Sequence, residues 1–255
     1  MRAVCLFVTV VASVLSPLAA APAGTRIPVK VMLIGDSLSV GGFGDVMEAS
    51  LLGKYGSRQV AIFASCGSSP EDWLSGDFVT NCGYRQTTPA SKPIHLEYKN
   101  GVRPRPVKTP KMRTLLGHYR PEIVIVQQGT NWMDTLAETG RPDAARYRRI
   151  IAEFIKELRR GNPAVTIFWV LPPASSKYPA RVHEEVDGWI NEASRKMGFY
   201  TINSRAITKA YRDGRTGGDG VHYSDAAAGA WARAVFGKFA TALKALTLAG
   251  SGAGP

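Results

Sequence analysis

Residues 27–39 read IPVKVMLIGDSLS. Ile27 to Ile34 is a short apolar run that stops at Gly35-Asp36-Ser37, which predicts a strand buried on both faces. Working outward, the spacing of Phe43, Val46, Met47 and Leu51 predicts a helix over 43–55 that ends at Gly56. Gln59 to Ala64 predicts a second strand. Pro110 to Tyr119 predicts a short helix, with Thr109 as its cap and Pro110 at its first position. Glu122 to Gln127 (EIVIVQ) is β-branched and predicts a third strand. Asp143 to Arg160 places Ile150, Ile151, Phe154, Ile155 and Leu158 on one face of an amphipathic helix. A strand over 164–171, a helix over 179–197, a strand over 199–202 and a long helix over 224–246 capped by Ser224 continue the alternation, and a frayed tail follows at 248–255. Five strands alternating with helices predict an α/β chain whose parallel sheet is covered on both faces. The C-terminal ends of its strands then share one edge, where chemistry is expected.

The chain has 255 residues, of which 45% are apolar and 20% charged, so global disorder is excluded. Only the N-terminus carries a long apolar run, which excludes a multi-pass membrane protein. Residues 1–23 read MRAVCLFVTVVASVLSPLAAAPA. Arg2, the apolar stretch from Ala3 to Leu15, and the small residues Ala21 and Ala23 predict a signal peptide cleaved before Gly24. An uncleaved anchor helix is the alternative, but Pro17 and Pro22 interrupt the run. Residues 24–255 are then expected to be a single exported domain, periplasmic or secreted, with no stable membrane span. Cys66 and Cys82 remain after cleavage. In an oxidising compartment they are candidates for one disulfide, with two unpaired thiols as the alternative. Two cysteines without a nearby histidine pair make a poor zinc site.

The net charge is +12. Much of it sits in an apparent insertion at 83–113, where Arg85, Lys92, Lys99, Arg103, Arg105, Lys108, Lys111 and Arg113 face Glu97 alone. His95-Leu96-Glu97-Tyr98 followed by Lys99-Asn100-Gly101 predicts a hairpin with an Asn-Gly turn. Two readings stay open for the basic residues: a solvated loop, or a strip facing an anionic surface such as an acidic glycan, a wall polymer or anionic lipid head groups. Nucleic acid is not expected, because no binding motif is present.

Four short blocks fall at strand ends or a helix start. Gly35-Asp36-Ser37-Leu38 puts a serine at a strand-to-helix turn. Gly67, after the second strand, lets the backbone approach a ligand. Asn131, in Gly129-Thr130-Asn131 after the third strand, can donate a side-chain amide to an oxyanion. Asp219-Gly220-Val221-His222 pairs an imidazole with a carboxylate that can orient it and stabilise its protonated form. Each block alone is a common turn sequence. Together, in this order, they resemble the SGNH (GDSL) hydrolases, and the resemblance spans roughly 30–246.

The resemblance implies a flavodoxin-like three-layer α/β/α sandwich on a five-stranded parallel sheet. It implies Ser37 as nucleophile, His222 as general base and then acid, and Asp219 as its orienting partner. The Ser37 and Gly67 amides and the Asn131 side chain would form the oxyanion hole. No metal or organic cofactor is implied. Trp132 stands where many relatives carry an acidic residue, which puts transfer of a relative's substrate in doubt. Trp73, Trp132, Tyr178 and Tyr223 flank the expected active edge and are candidates for a sugar-binding wall, with core packing as the alternative. The expected function is removal of small acyl groups, acetyl first among them, from a carbohydrate. A lipid esterase or thioesterase, an O-acyltransferase with the same triad, and a noncatalytic glycan- or wall-binding module on the same fold remain alternatives.

Overall fold

A computed structural model describes residues 26–140, 143–209 and 219–251. The expected leader at 1–23 and the last four residues of the tail lie outside the described residues. In chain order the strands are β1 (Val31–Gly35), β2 (Val60–Ser65), β3 (Val79–Thr80), β4 (Gly83–Thr88), β5 (Ser91–Glu97), β6 (Val107–Lys108), β7 (Ile123–Gln127), β8 (Thr166–Val170) and β9 (Tyr200–Ile202). The helices are α1 (Ser37–Val40), α2 (Gly42–Tyr55), α3 (Pro70–Ser75), α4 (Met112–Tyr119), α5 (Thr130–Thr139), α6 (Ala144–Gly161), α7 (Ala180–Met197), α8 (Ser204–Thr208) and α9 (Asp225–Ser251).

The main sheet has the order β5-β4-β2-β1-β7-β8-β9. From β2 to β9 all neighbours are parallel, which is the expected five-stranded core. The continuous apolar run of β1 has a structural reason. Val31 and Leu33 point into a core shared with α2 and α9, while Met32 and Ile34 point into a second core shared with α4, α6 and α7. A strand covered on both faces has no side for polar residues. β7 and β8 divide their side chains between the two cores in the same way. Among the described residues no helix is long and apolar enough to cross a membrane.

The segment at 83–113 is more integrated than an insertion. β4 pairs antiparallel with β2, and β5 pairs antiparallel with β4, so the sheet gains two strands at its edge. The chain turns between them at Pro89-Ala90. The expected Asn-Gly turn closes a smaller loop, held by a single bridge between Lys99 and Val102. The basic residues do not form one surface strip. Arg85 is buried, with its side chain 1% exposed, and it donates to Glu48 at 2.6 Å and also to Asp45. Lys108 pairs with Asp77 and Arg113 with Glu157. Thr109 is not the cap of α4, which starts at Met112. Its hydroxyl instead meets that of buried Ser65 at 2.7 Å. Ser224 does cap α9, accepting from the Ala227 N–H at 3.3 Å, but the helix runs on to Ser251, so the expected fraying point at 248 is still helical.

Candidate active site

The C-terminal ends of β1, β2 and β7 carry the first three blocks, as parallel topology requires. Ser37 is the half-buried first residue of α1. The residue before it, Asp36, caps this short helix by accepting from the Leu38 N–H at 3.0 Å. Asp36 is fully buried, and its backbone N–H donates to the Gln127 carbonyl at 3.2 Å, which ties the turn to the end of β7. Burial pushes its carboxyl up to about 6. The Leu38 N–H, the Gln127 amide and the nearby His222 oppose the rise without cancelling it.

After β2 the chain passes Cys66 and enters a tight turn at Gly67, whose φ of +83° is one an L side chain rarely adopts. A Cβ there would also lie 3.3 Å from the Phe78 ring. Ser68 anchors the turn. Its hydroxyl donates to the Ser65 carbonyl at 2.7 Å and accepts from Trp73 Nε1 at 3.0 Å. Ser69 and Asp72 then cap α3 reciprocally, with Pro70 at the first helical position. Asn131 lies in the first turn of α5 and donates Nδ2–H to the Ser68 carbonyl at 2.7 Å. A primary amide has a second N–H, so this bond orients the group and leaves one donor available. Gly129 precedes it with φ +118°, where a Cβ would press on Pro172 at 3.2 Å and Val186 at 3.4 Å.

The fourth block is built by its own carboxylate. Asp219 Oδ1 accepts from the backbone N–H groups of Val221 and His222, both at 2.9 Å, while Oδ2 lies 2.5 Å from His222 Nδ1. Burial raises the Asp219 carboxyl, but the His222 backbone and ring and the Val221 N–H outweigh it, and the net shift is downward. The ionised carboxylate therefore holds a hydrogen on Nδ1, which leaves Nε2 as the basic nitrogen. The loop after β8 supports this turn. Ser175 Oγ donates to the Gly220 carbonyl at 2.5 Å, and the Ser176 N–H donates to it at 3.0 Å.

A cavity of about 540 Å³ brings the ends of the chain together. Its lining includes Ser37, Asp219 and His222, with Val40 and Gly41 from the α1–α2 corner, Cys66 and Cys82, and Glu97, Tyr98 and Arg103. Gly67 and Asn131 are adjacent in the chain or the fold but are not part of that lining. Cys66 and Cys82 have their sulfurs at bonding distance and their Cα atoms 5.6 Å apart, so the Gly67 turn is tethered to the start of β4.

The four candidate aromatic residues do not wall this cavity. Trp73 and Trp132 are 0% and 3% exposed and belong to the core beneath α3 and α5, with Trp132 Nε1 held by Glu71 at 2.9 Å. Tyr223 is buried, and its hydroxyl donates to the Ala174 carbonyl. Tyr178 is also buried, packed edge-on to His183 with ring centroids 6.1 Å apart. Rings closed in this way present no face to a sugar. The exposed ring in the cavity wall is Tyr98, which is not among those four candidates. Its position next to the Asn-Gly turn was the available signal.

A family model described as GDSL-like lipase/acylhydrolase matches residues 31–235. Similar solved structures include a lipase/acylhydrolase from Enterococcus faecalis (16% identity, 82% of this chain and 96% of that one, TM-score 0.51). An acetyl esterase mutant crystallised with acetate ion is also similar (17% identity, 86% and 99%, TM-score 0.51). A peptidoglycan O-acetylesterase is a third (14% identity, 86% and 92%, TM-score 0.50). A sequence search of curated proteins returned no match.

Proposed function

The chain belongs to the GDSL-like lipase/acylhydrolase family, and we propose that within it the protein is an exported serine esterase that removes small acyl groups, acetyl foremost, from a carbohydrate. The observation that carries this reading is the shared cavity. Ser37 and His222 line it together, and Asp219 orients the imidazole at 2.5 Å. In the reaction, Ser37 Oγ attacks the ester carbonyl carbon while His222 Nε2 takes its proton. The carbonyl oxygen becomes an anion held by the Ser37 and Gly67 amides and the free N–H of Asn131. The imidazolium, stabilised by Asp219, returns the proton to the departing sugar oxygen. Water then attacks the acyl-serine with the same groups in reverse, releasing the acid and restoring Ser37.

The mixed lining supports a polar alcohol portion. Val40, Gly41 and the cystine give the lining an apolar part, and Glu97 and Arg103 add charge to it. One fold neighbour is a peptidoglycan O-acetylesterase, so the sandwich is compatible with removing acetyl groups from a wall glycan. The leader-like residues 1–23 and the Cys66–Cys82 pairing support an oxidising compartment outside the cytoplasm. The test is a chain-length series of 4-nitrophenyl esters with wild type and Ser37→Ala, together with labelling by a serine-directed phosphonate. Acetate is expected to be the preferred ester, and Ser37→Ala is expected to lose both turnover and label. Full activity in folded Ser37→Ala would end the serine mechanism. A strong preference for long chains would move the substrate to lipids or thioesters.

A further inference from the structure

The eight basic residues of the 83–113 segment have separate fates, and one of them reaches the catalytic cavity. Arg85 is buried among carboxylates, Lys108 pairs with Asp77 at the surface, and Arg113 pairs with the buried Glu157. Arg103 lines the cavity with Ser37 and His222. Its side chain donates to a neutral group, Asn81 Oδ1, at 3.1 Å, and among the described residues it forms no ion pair. Its guanidinium is thus oriented by an amide with no carboxylate at ion-pair distance among the described residues, and Glu97 and Asp219 are the acidic groups that share the cavity with it. Beside it stands Tyr98, which is 54% exposed. An exposed aromatic ring in a cavity wall offers a face to a pyranose ring.

These two residues sit on a braced arm. The Tyr98 N–H donates to the Cys82 carbonyl at 3.2 Å, and Lys99 and Val102 close the turn with bonds of 3.2 and 2.9 Å. Asn100 (φ 54°) and Gly101 (φ 80°) supply the left-handed pair such a turn needs. Cys82 is joined to Cys66, next to Gly67, so the arm and the expected oxyanion turn share an anchor. The acidic group of the arm, Glu97, has Oε1 3.8 Å from Arg85 Nη2, a guanidinium that it shares with the closer carboxylates of Asp45 and Glu48.

We propose that Tyr98 and Arg103 form a recognition subsite for a carboxylate-bearing sugar, making an acidic O-acylated glycan the substrate class of this esterase. The inference rests on the esterase reading above and adds the charge of the sugar to it. Arg103 takes the carboxylate through a charge-assisted bond, and Tyr98 packs on the ring, so that the neighbouring acyl ester enters the cavity beside Ser37. The carboxylate could be that of a uronic acid or the lactyl group of a muramic residue. The chemistry at Arg103 is the same for both.

The experiment compares wild type, Arg103→Gln, Arg103→Lys and Tyr98→Ala on four substrates: 4-nitrophenyl acetate, O-acetylated oligogalacturonate, O-acetylated muramic-acid glycan strands and O-acetylated xylo-oligosaccharide. Wild type is expected to favour at least one acidic glycan over the neutral one, and to lose that preference in high salt. Losing a charge-assisted bond corresponds to roughly 10–100-fold, so Arg103→Gln should lose that much more kcat/KM on the acidic glycan than on 4-nitrophenyl acetate, mainly through KM. Arg103→Lys should retain part of the preference, because it keeps the charge without the planar fork. Whichever acidic glycan responds identifies the source of the carboxylate. Equal losses on all substrates, or a wild type that prefers the neutral glycan, overturn the subsite while leaving the esterase reading in place. If wild type fails on 4-nitrophenyl acetate, the esterase reading falls. Calorimetric binding of unacetylated oligogalacturonate and muramic-acid strands then decides the subsite, supported if Arg103→Gln abolishes binding and overturned if it does not.

Discussion

The Asp36 carboxyl, one residue before Ser37, is a sharp test of the electrostatics beneath the site. It is fully buried, one oxygen caps Leu38 at 3.0 Å, and the other has no hydrogen-bond partner. Its pKa therefore rises from 3.8 to about 6, with desolvation the leading cause. As pH climbs from 4 to 6 the unfolded chain ionises first, and the folded form must follow at a cost. Stability from this group is full below pH 3.8 and is lost as pH rises through 6. At 1.36 kcal/mol for each pH unit of displacement, the loss totals about 3 kcal/mol. Asp36→Asn keeps a carbonyl oxygen for the Leu38 N–H and removes the titration. Urea unfolding of both proteins, followed by tryptophan fluorescence at pH 4 and pH 7.5, reads the effect. The variant should gain on wild type by about 2–3 kcal/mol between the two pH values. Asp187, also raised to about 6, and Asp219, which is lowered, titrate in both proteins and drop out of the difference. A difference constant to within about 0.5 kcal/mol would show that this carboxyl ionises as freely folded as unfolded and that burial does not raise its pKa.

Three further outcomes are expected. Arg85→Met strands the buried Glu48 carboxylate and frees the Val40 carbonyl, which accepts from Arg85 Nη2 at 2.7 Å. Chemical denaturation should show a loss of about 3–5 kcal/mol, and a loss under 1 would mean the network is not holding α1 to β4. Cys66→Ser with Cys82→Ser opens a loop of 16 residues' separation and should cost about 3 kcal/mol, matched by wild type in excess reductant. Asn131→Ala should lower kcat about 10²–10³-fold, with the melting temperature falling by only about 2–4 °C for the lost bond to the Ser68 carbonyl, and a change confined to KM would remove its side chain from the oxyanion hole.

How much of the fold could be read from the chain follows from what each element packs against. β1, β7 and β8 are closed between two apolar layers, so their composition states their environment. β4 was illegible for the opposite reason. Its sequence, GYRQTT, holds buried Arg85, Thr87 and Thr88, and two of these contact Glu48, a carboxylate of α2, rather than aliphatic side chains. A strand that buries polar groups against polar partners has the composition of a loop, and only the partner distinguishes them. α3 and α5 leave no periodic signal in the sequence because each is short and begins inside a chemical motif, where turn residues hide the helical period.

The same distinction separates catalytic from recognition residues. A nucleophile, a base and an orienting carboxylate must be particular atoms in particular turns, and the turns leave local traces. Asp219 builds its turn from the N–H groups two and three residues on, and Asp36 reaches two residues ahead to Leu38. Such bonds are written within a few residues and can be read there. Recognition depends on which side chain remains unpaired after folding, and that is settled by distant partners. Arg85 and Arg103 are alike in sequence, both arginines in one basic stretch. Glu48, 37 positions away, consumes the charge of the first, whereas Asn81 aligns the second without neutralising it. The aromatic residues divide in the same manner, since Trp73 is closed under Ser68 while Tyr98 is carried outward by a turn of Asn100 and Gly101. A charge count therefore overstates the cationic surface and conceals its useful member. Mapping the salt dependence of substrate binding onto Arg103 alone, rather than onto the whole segment, is the measurement that this asymmetry calls for.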